Sequence, residues 1–380
     1  MHMKIKIPKI ISQPDTNIFD DKNQENRYCL LDLLRFMACI MVIFWHYQHF
    51  FYIRPGVRVS GFQPAEQPFF NLFTLFYKSG YFGVQIFWVL SGFVFFALFA
   101  RKIGEKKLPS LQFVMDRFSR LYPLHLLSLI AVALLTLLLT CTIGSAGIYP
   151  HNDWYHFILN LFFVPYILPN KGWSFNAPVW SVSLELLAYI LFYLYARFLK
   201  VGLIKTVCIV LIFALLNPYP ATLPFAKFVN QCCFFFFSGG GLFLLIRKCS
   251  EYIRYVFVYL FFGIAFLLTA FLLKQPEVWI LFTVFLFSFP FPLPEKIGSF
   301  FFALGNLTYS MYMLHIAIQL SLFFVINVIF KQKMYETAKS PYFCLVYLLI
   351  LMTTSFLVFK YFELPVKNKL RRLIKSGARK

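Results

Sequence analysis

The chain is poor in charge, and poorest in negative charge. Only 13% of its 380 residues are charged, with 15 acidic residues against 36 Lys and Arg. Soluble domains carry about 25% charged residues. That shortage, with 60% hydrophobic residues and a mean hydropathy of +0.71, excludes a soluble globule and leaves a polytopic membrane protein. Zinc or redox spacing is lacking too. Cys29, Cys39, Cys141, Cys208, Cys232, Cys233, Cys249 and Cys344 are scattered, mostly inside apolar runs, and read as packing residues, so no metal is expected. No repeat period and no polar linker between domains is present. The net charge of +21 would suggest nucleic acid in a soluble protein. Between apolar runs it orients the chain instead, and no nucleic-acid partner is expected.

What the chain has in quantity is apolar sequence. Runs at about 30–51, 80–100, 121–141, 180–199, 202–216, 229–246, 254–273, 277–291, 303–330 and 342–362 predict an all-α protein of about ten transmembrane helices. The piece from Phe157 to Leu168 is too short to cross and is broken by Pro165, so an interfacial or re-entrant segment is expected. With the N-terminus inside, 26 Lys and Arg fall on the inner side, nine fall outside, and Arg35 lies within the membrane. This bias predicts that both termini are cytoplasmic. Residues 1–26, too polar for a secretory signal, form a cytoplasmic tail; 27–365 form the membrane domain; 366–380 form a basic tail suited to anionic headgroups.

The first run organises the rest. It opens Arg-Tyr-Cys-Leu-Leu-Asp-Leu-Leu-Arg at 27–35 and closes on Trp45-His46. Arg35 and His46 are eleven residues apart, three helical turns with a small remainder, so they share a face about 16 Å apart along the axis. Ionisable groups inside a span are functional candidates. A structural reading also stands: Arg35 snorkels to the inner headgroups and pairs with Asp32, and His46 sits in the outer interface.

Three further motifs follow: Gly80-Tyr-Phe-Gly83-Val-Gln85-Ile-Phe-Trp-Val-Leu-Ser91-Gly92-Phe93, then Arg117-Phe-Ser-Arg120-Leu-Tyr-Pro123, then Pro178-Val-Trp180-Ser181-Val-Ser-Leu-Glu185. A fifth, weaker one is Leu304-Gly-Asn-Leu-Thr-Tyr309-Ser310-Met-Tyr312-Met-Leu-His315. In order and spacing the set resembles the acyltransferase-3 family, bacterial-type integral membrane enzymes that commonly O-acetylate surface polysaccharides. Gln85 departs from the pattern, standing where members often have an acid.

The resemblance implies an acyl-CoA-dependent O-acyltransferase of the bacterial inner membrane, with no permanently bound cofactor. Its donor is expected to be acetyl-CoA or another acyl-CoA, and its acceptor a cell-surface glycan or lipid-linked sugar. A neutral imidazole can take the proton of a sugar hydroxyl as it attacks a thioester, so His46 is the expected base, with a covalent acyl-histidine open as a variant. Glu185, about six residues below the outer surface, is expected to hold the second ring nitrogen, or else to make only a structural hydrogen bond. Arg35, Arg117 and Arg120 are expected to bind the donor phosphates, for which a planar guanidinium is suited. Enforcing topology is the alternative for that pair of arginines.

Gln85, Ser91, Trp180, Ser181, Tyr309 and His315 are candidates to line the passage. Ser91 has no neighbouring base and reads as packing; Ser181 serves equally as a helix cap, and His315 equally as a satisfied core histidine. The outer segment 142–179, with His151, Asp153, Trp154, Tyr155 and Trp173, suits either a sugar ring or an interfacial aromatic belt. A transporter or flippase of a sugar or lipid intermediate, also built from many spans and buried charges, is the rival class.

Overall fold

The structure is a computed structural model that describes residues 28–165, 168, 172–216, 224–252, 263–264, 275–288 and 293–377. The described residues are almost entirely helical. In order come α1 (Cys29–His46), a 3-10 turn (Tyr47–Phe51), a small antiparallel hairpin of β1 (Tyr52–Arg54) and β2 (Val57–Arg58), α2 (Phe70–Ser79), α3 (Phe82–Gly104), α4 (Ser110–Ile143) and α5 (Trp154–Leu161). There follow α6 (Val179–Phe198), α7 (Leu203–Leu216), α8 (Pro224–Tyr252), α9 (Pro276–Phe287), α10 (Glu295–Phe324), α11 (Met334–Thr337), α12 (Pro341–Val358) and α13 (Leu364–Gly377).

Local chemistry marks the ends. Pro276 and Pro341 stand in the first turns of α9 and α12, where a missing N–H costs nothing. Asp153 caps α5 by accepting the His156 N–H. Gly144, at φ 68°, closes α4 with its N–H on the Thr140 carbonyl.

Seven helices among the described residues are long and apolar enough to cross a membrane, and the chain is an all-α integral membrane protein. The runs expected at 202–216 and 277–291 are helices of 14 and 12 residues, shorter than a full crossing. The run expected at 254–273 and the 1–26 tail lie essentially outside the described residues. The helix expected from residue 121 begins at Ser110. Its 34 residues span about 51 Å against about 30 Å of hydrocarbon, because the helix continues through sequence too polar for the bilayer. The segment after Phe157 is helical only to Leu161, in keeping with a piece too short to cross.

Contacts fix the relative directions of α1, α3, α6, α10 and α12. Gly305 of α10 lies against Asp32 of α1, the Cys39 thiol reaches the Thr308 carbonyl, and Gln319 reaches the His46 carbonyl, so α1 and α10 run parallel. Gly83 against Ala38 and Gly80 against Met41 make α3 antiparallel to α1. Trp88 on the Ser181 carbonyl and Phe95 stacked on Tyr189 make α6 parallel to α3. Ser310 on Glu363 and Gln319 on Tyr347 turn α12 back along α10. The tightest approach is between α3 and α8. A methyl group at Gly92 would overlap the Phe236 carbonyl, and one at Gly239 the Val89 carbonyl, so these glycines let the two backbones touch.

Candidate functional site

Ionisable and polar side chains gather at two levels of the bundle, and α1 contributes to both. At its first turn Arg35 Nη1 donates to Asp32 Oδ1 at 3.0 Å, the pairing that the structural reading of the sequence also held. Arg35 lies in addition within the electrostatic reach of Arg120 and Glu185. Arg117, one turn before Arg120 on α4, places its guanidinium over Phe95 and Phe99 at 5.3 and 4.8 Å from the ring centres. Its Nε is buried without a hydrogen-bond partner. Arg120 is exposed and sits within range of Asp32, Arg35, Arg117, Glu185 and Glu363.

Glu185 belongs to this level. Its Oε1 accepts the Tyr189 hydroxyl at 2.5 Å, and Ser91 also hydrogen-bonds the carboxylate. Tyr189, four residues on along the same helix face, and Ser91 of α3 are thus its partners, the structural hydrogen bonds that the sequence held as the alternative to a bond with His46, whose Nδ1 faces His315. Ser91, expected to pack or to line the passage, has Glu185 as a hydrogen-bond partner.

The last helices add members that the sequence did not single out. Glu363, at the end of a π turn (Phe359–Glu363), is buried and accepts the Ser310 hydroxyl at 2.6 Å. Lys367, one turn on, faces Arg120 and Glu363, and Arg371 Nε lies 3.2 Å from Asp116 of α4. Five cations and four carboxylates, carried by α1, α4, α6, the π turn and α13, thus lie within electrostatic reach of one another around Arg120. Lys367 and Arg371 had been placed in a tail suited to headgroups. The signal that could have found this level was an acid, Glu363, directly at the end of the last apolar run.

The second level is built of imidazoles. His46 Nδ1 lies 3.1 Å from His315 Nε2, with the ring planes 26° apart. His315 Nδ1 lies 2.7 Å from the Tyr312 carbonyl. His49, buried in the 3-10 turn, places Nδ1 3.0 Å from Gln319 Oε1, and Gln319 Nε2 donates to the His46 carbonyl at 3.0 Å. His49 and Gln319 were not foreseen, although one follows His46 by three residues and the other His315 by four. Among the described residues no group of His, Cys, Asp or Glu is arranged to hold a metal.

The remaining candidates lie around these two levels. The Tyr309 hydroxyl donates to the Leu121 carbonyl at 2.5 Å, two residues before Pro123. Ser181 shares a 2.7 Å hydrogen bond with the Tyr312 hydroxyl, joining α6 to α10, and also donates to the Pro178 carbonyl. Trp180 lies edge to face with Trp88 at 5.7 Å and near Trp173 at 5.9 Å. Gln85 is half-buried, with Oε1 unpartnered. In the outer segment Asp153 accepts from both the backbone and the ring of His156, while Trp154 is 77% exposed, as a residue facing headgroups would be.

A family model described as an acyltransferase domain matches residues 30–361, which takes in the imidazole level and, at the other level, all but Glu363, Lys367 and Arg371. A protein of Rhizobium radiobacter named Protein 2 in picA locus is 32% identical over 107 residues, 28% of this chain and 44% of that protein. The chain thus spans less than half the length of this relative. No solved structure matches the chain.

Proposed function

We propose that this chain, which belongs to the acyltransferase-3 family, transfers an acyl group, most simply acetyl, from cytoplasmic acyl-CoA to a hydroxyl of a cell-surface or lipid-linked glycan. The observation that carries the proposal is the separation on α1 of a guanidinium level at Arg35 from an imidazole level at His46. About 16 Å of helix lies between them. An extended pantetheine arm has that order of length, so the phosphates of the donor can rest on Arg35, Arg117 and Arg120 while its thioester reaches His46.

His46 then takes the proton of the acceptor hydroxyl as its oxygen attacks the thioester carbonyl. The C–S bond breaks, and the departing thiolate takes that proton back from the imidazole. The setting is the inner membrane, with ten spans and both termini cytoplasmic. The alternating helix directions and the positive-inside bias support this reading. The 1–26 and 366–380 segments are its cytoplasmic flanks, although α13 packs on α4 through Arg371 and Asp116.

The test is direct. Purified protein given labelled acetyl-CoA and a glycan acceptor should yield a labelled ester, whereas a transporter or flippase would move the sugar without forming one.

Two variants check the division of roles. Arg120→Gln is expected to raise KM for the acyl donor about 10- to 100-fold, the value of a hydrogen bond to a charged group. The acceptor KM should stay within about threefold. An unchanged donor KM would remove Arg120 from the phosphate site. Glu185→Gln removes one of the carboxylates near Arg35 and Arg120, leaving Asp32 and Glu363 in place, and is expected to shift the donor KM rather than the pH profile of kcat. A moved pH profile would return Glu185 to the imidazole.

A further inference from the structure

We propose that His315 is the positioning residue of His46: it fixes the imidazole as the tautomer that carries hydrogen on Nδ1 and leaves Nε2 as the proton-accepting atom. The inference deepens the proposed function and rests on it for the role of His46 as base.

One group in this chain of bonds has a fixed part. A backbone carbonyl only accepts hydrogen bonds, so the Tyr312 carbonyl, 2.7 Å from His315 Nδ1, requires the hydrogen of that neutral ring to be on Nδ1. His315 Nε2 is then a lone pair. His46 Nδ1 faces it at 3.1 Å, and two lone pairs at that distance repel, so the hydrogen between the rings belongs to His46 Nδ1. One hydrogen remains on a neutral imidazole, which leaves His46 Nε2 bare.

The neighbouring histidine is pinned by the same logic. Gln319 Nε2 donates to the His46 carbonyl at 3.0 Å, which orients the amide and leaves Oε1 to accept from His49 Nδ1. The His46 backbone is thereby held as well as its ring. When His46 Nε2 takes a proton, the imidazolium still donates through Nδ1 to His315, whose own N–H leads to the Tyr312 carbonyl. His315 gains no proton in this step. It supplies the acceptor that, in a Ser-His-Asp arrangement, a carboxylate would supply.

Histidine-selective 15N NMR of the full chain in nanodiscs reads the tautomer without turnover, with His46→Gln identifying the resonance. The expected result is Nδ1–H with a bare Nε2 on His46, and its loss of tautomer bias in His315→Leu. In turnover, His315→Leu is expected to lower kcat about 100-fold with the donor KM little changed. His315→Gln, which can present an amide oxygen near the Nε2 position, is expected to recover at least tenfold of that loss. Nε2–H on His46 in the parent protein, or parental kcat in His315→Leu, overturns the proposal. Should His315→Leu fail to fold, the parent tautomer and the His315→Gln rate still decide it. If the tautomer is as stated but His46→Gln still transfers acyl groups, the assignment of His46 as base fails instead.

Discussion

His46→Gln is expected to lower kcat for acyl transfer by about 10²- to 10⁴-fold, the range in which a positioned base contributes. The donor KM should change little, because the proposed phosphate site at Arg35 and Arg120 lies some three helical turns from His46. His46 packs against His315 and, through its carbonyl, against Gln319, so glutamine keeps polarity and bulk while removing the ring nitrogen that accepts the proton. The measurement is steady-state kinetics on purified protein, with a melting curve to show that the variant folds. A folded variant at the parental rate would mean that another group takes the proton. In the parent, kcat should fall on acidification, since an imidazolium has no lone pair to offer.

A methyl group on Gly92 is expected to cost more than any surface change. Gly92→Ala would set its Cβ into the Phe236 carbonyl of α8, and backbone cannot move aside as a rotamer can. The expected loss is about 3 kcal/mol or more, against a typical total of about 5–15 kcal/mol, so little folded protein should be recovered. Gly239→Ala, which meets the Val89 carbonyl across the same contact, should behave alike. Gly202→Ala is the control, because nothing lies within 4 Å of the position where its methyl would stand. Melting temperature and the monodisperse fraction in detergent read the difference. If Gly92→Ala and Gly202→Ala melt together, α3 and α8 are not in backbone contact.

These two results bear on different parts of what the sequence could say. Hydropathy located most of the helices, and four spaced motifs pointed to the acyltransferase-3 family that the match over 30–361 shows. The arginine and histidine of α1 were likewise legible, since one helix determines their separation. What the sequence could not supply was the partner of each group, because partners come from the register between helices. Glu185 was expected beside His46 from depth alone. Depth leaves the direction around the bundle open, and α6 turns that carboxylate to Tyr189 and Ser91.

His315 stood in a recognised motif, yet its bond to His46 depends on α10 lying parallel to α1 with Gly305 against Asp32. Glu363, Lys367 and Arg371 were hidden differently. They follow the last apolar run, where basic residues ordinarily report topology, and only the packing of α13 on α4 turns them toward Arg120. The helix lengths show the same limit. Apolar windows stop at the edge of hydrocarbon, whereas α4 runs on as helix from Ser110 and carries Arg117 and Arg120 at the boundary.

The central claim is that the phosphate level and the base open to opposite sides of the membrane. Vesicles holding the protein in one known orientation, with labelled acetyl-CoA supplied to one side and a membrane-impermeant glycan acceptor to the other, test it most directly. The account predicts labelled ester only when the donor is on the side of Arg120 and the acceptor on the side of His46. Equal labelling with donor and acceptor on the same side would contradict it.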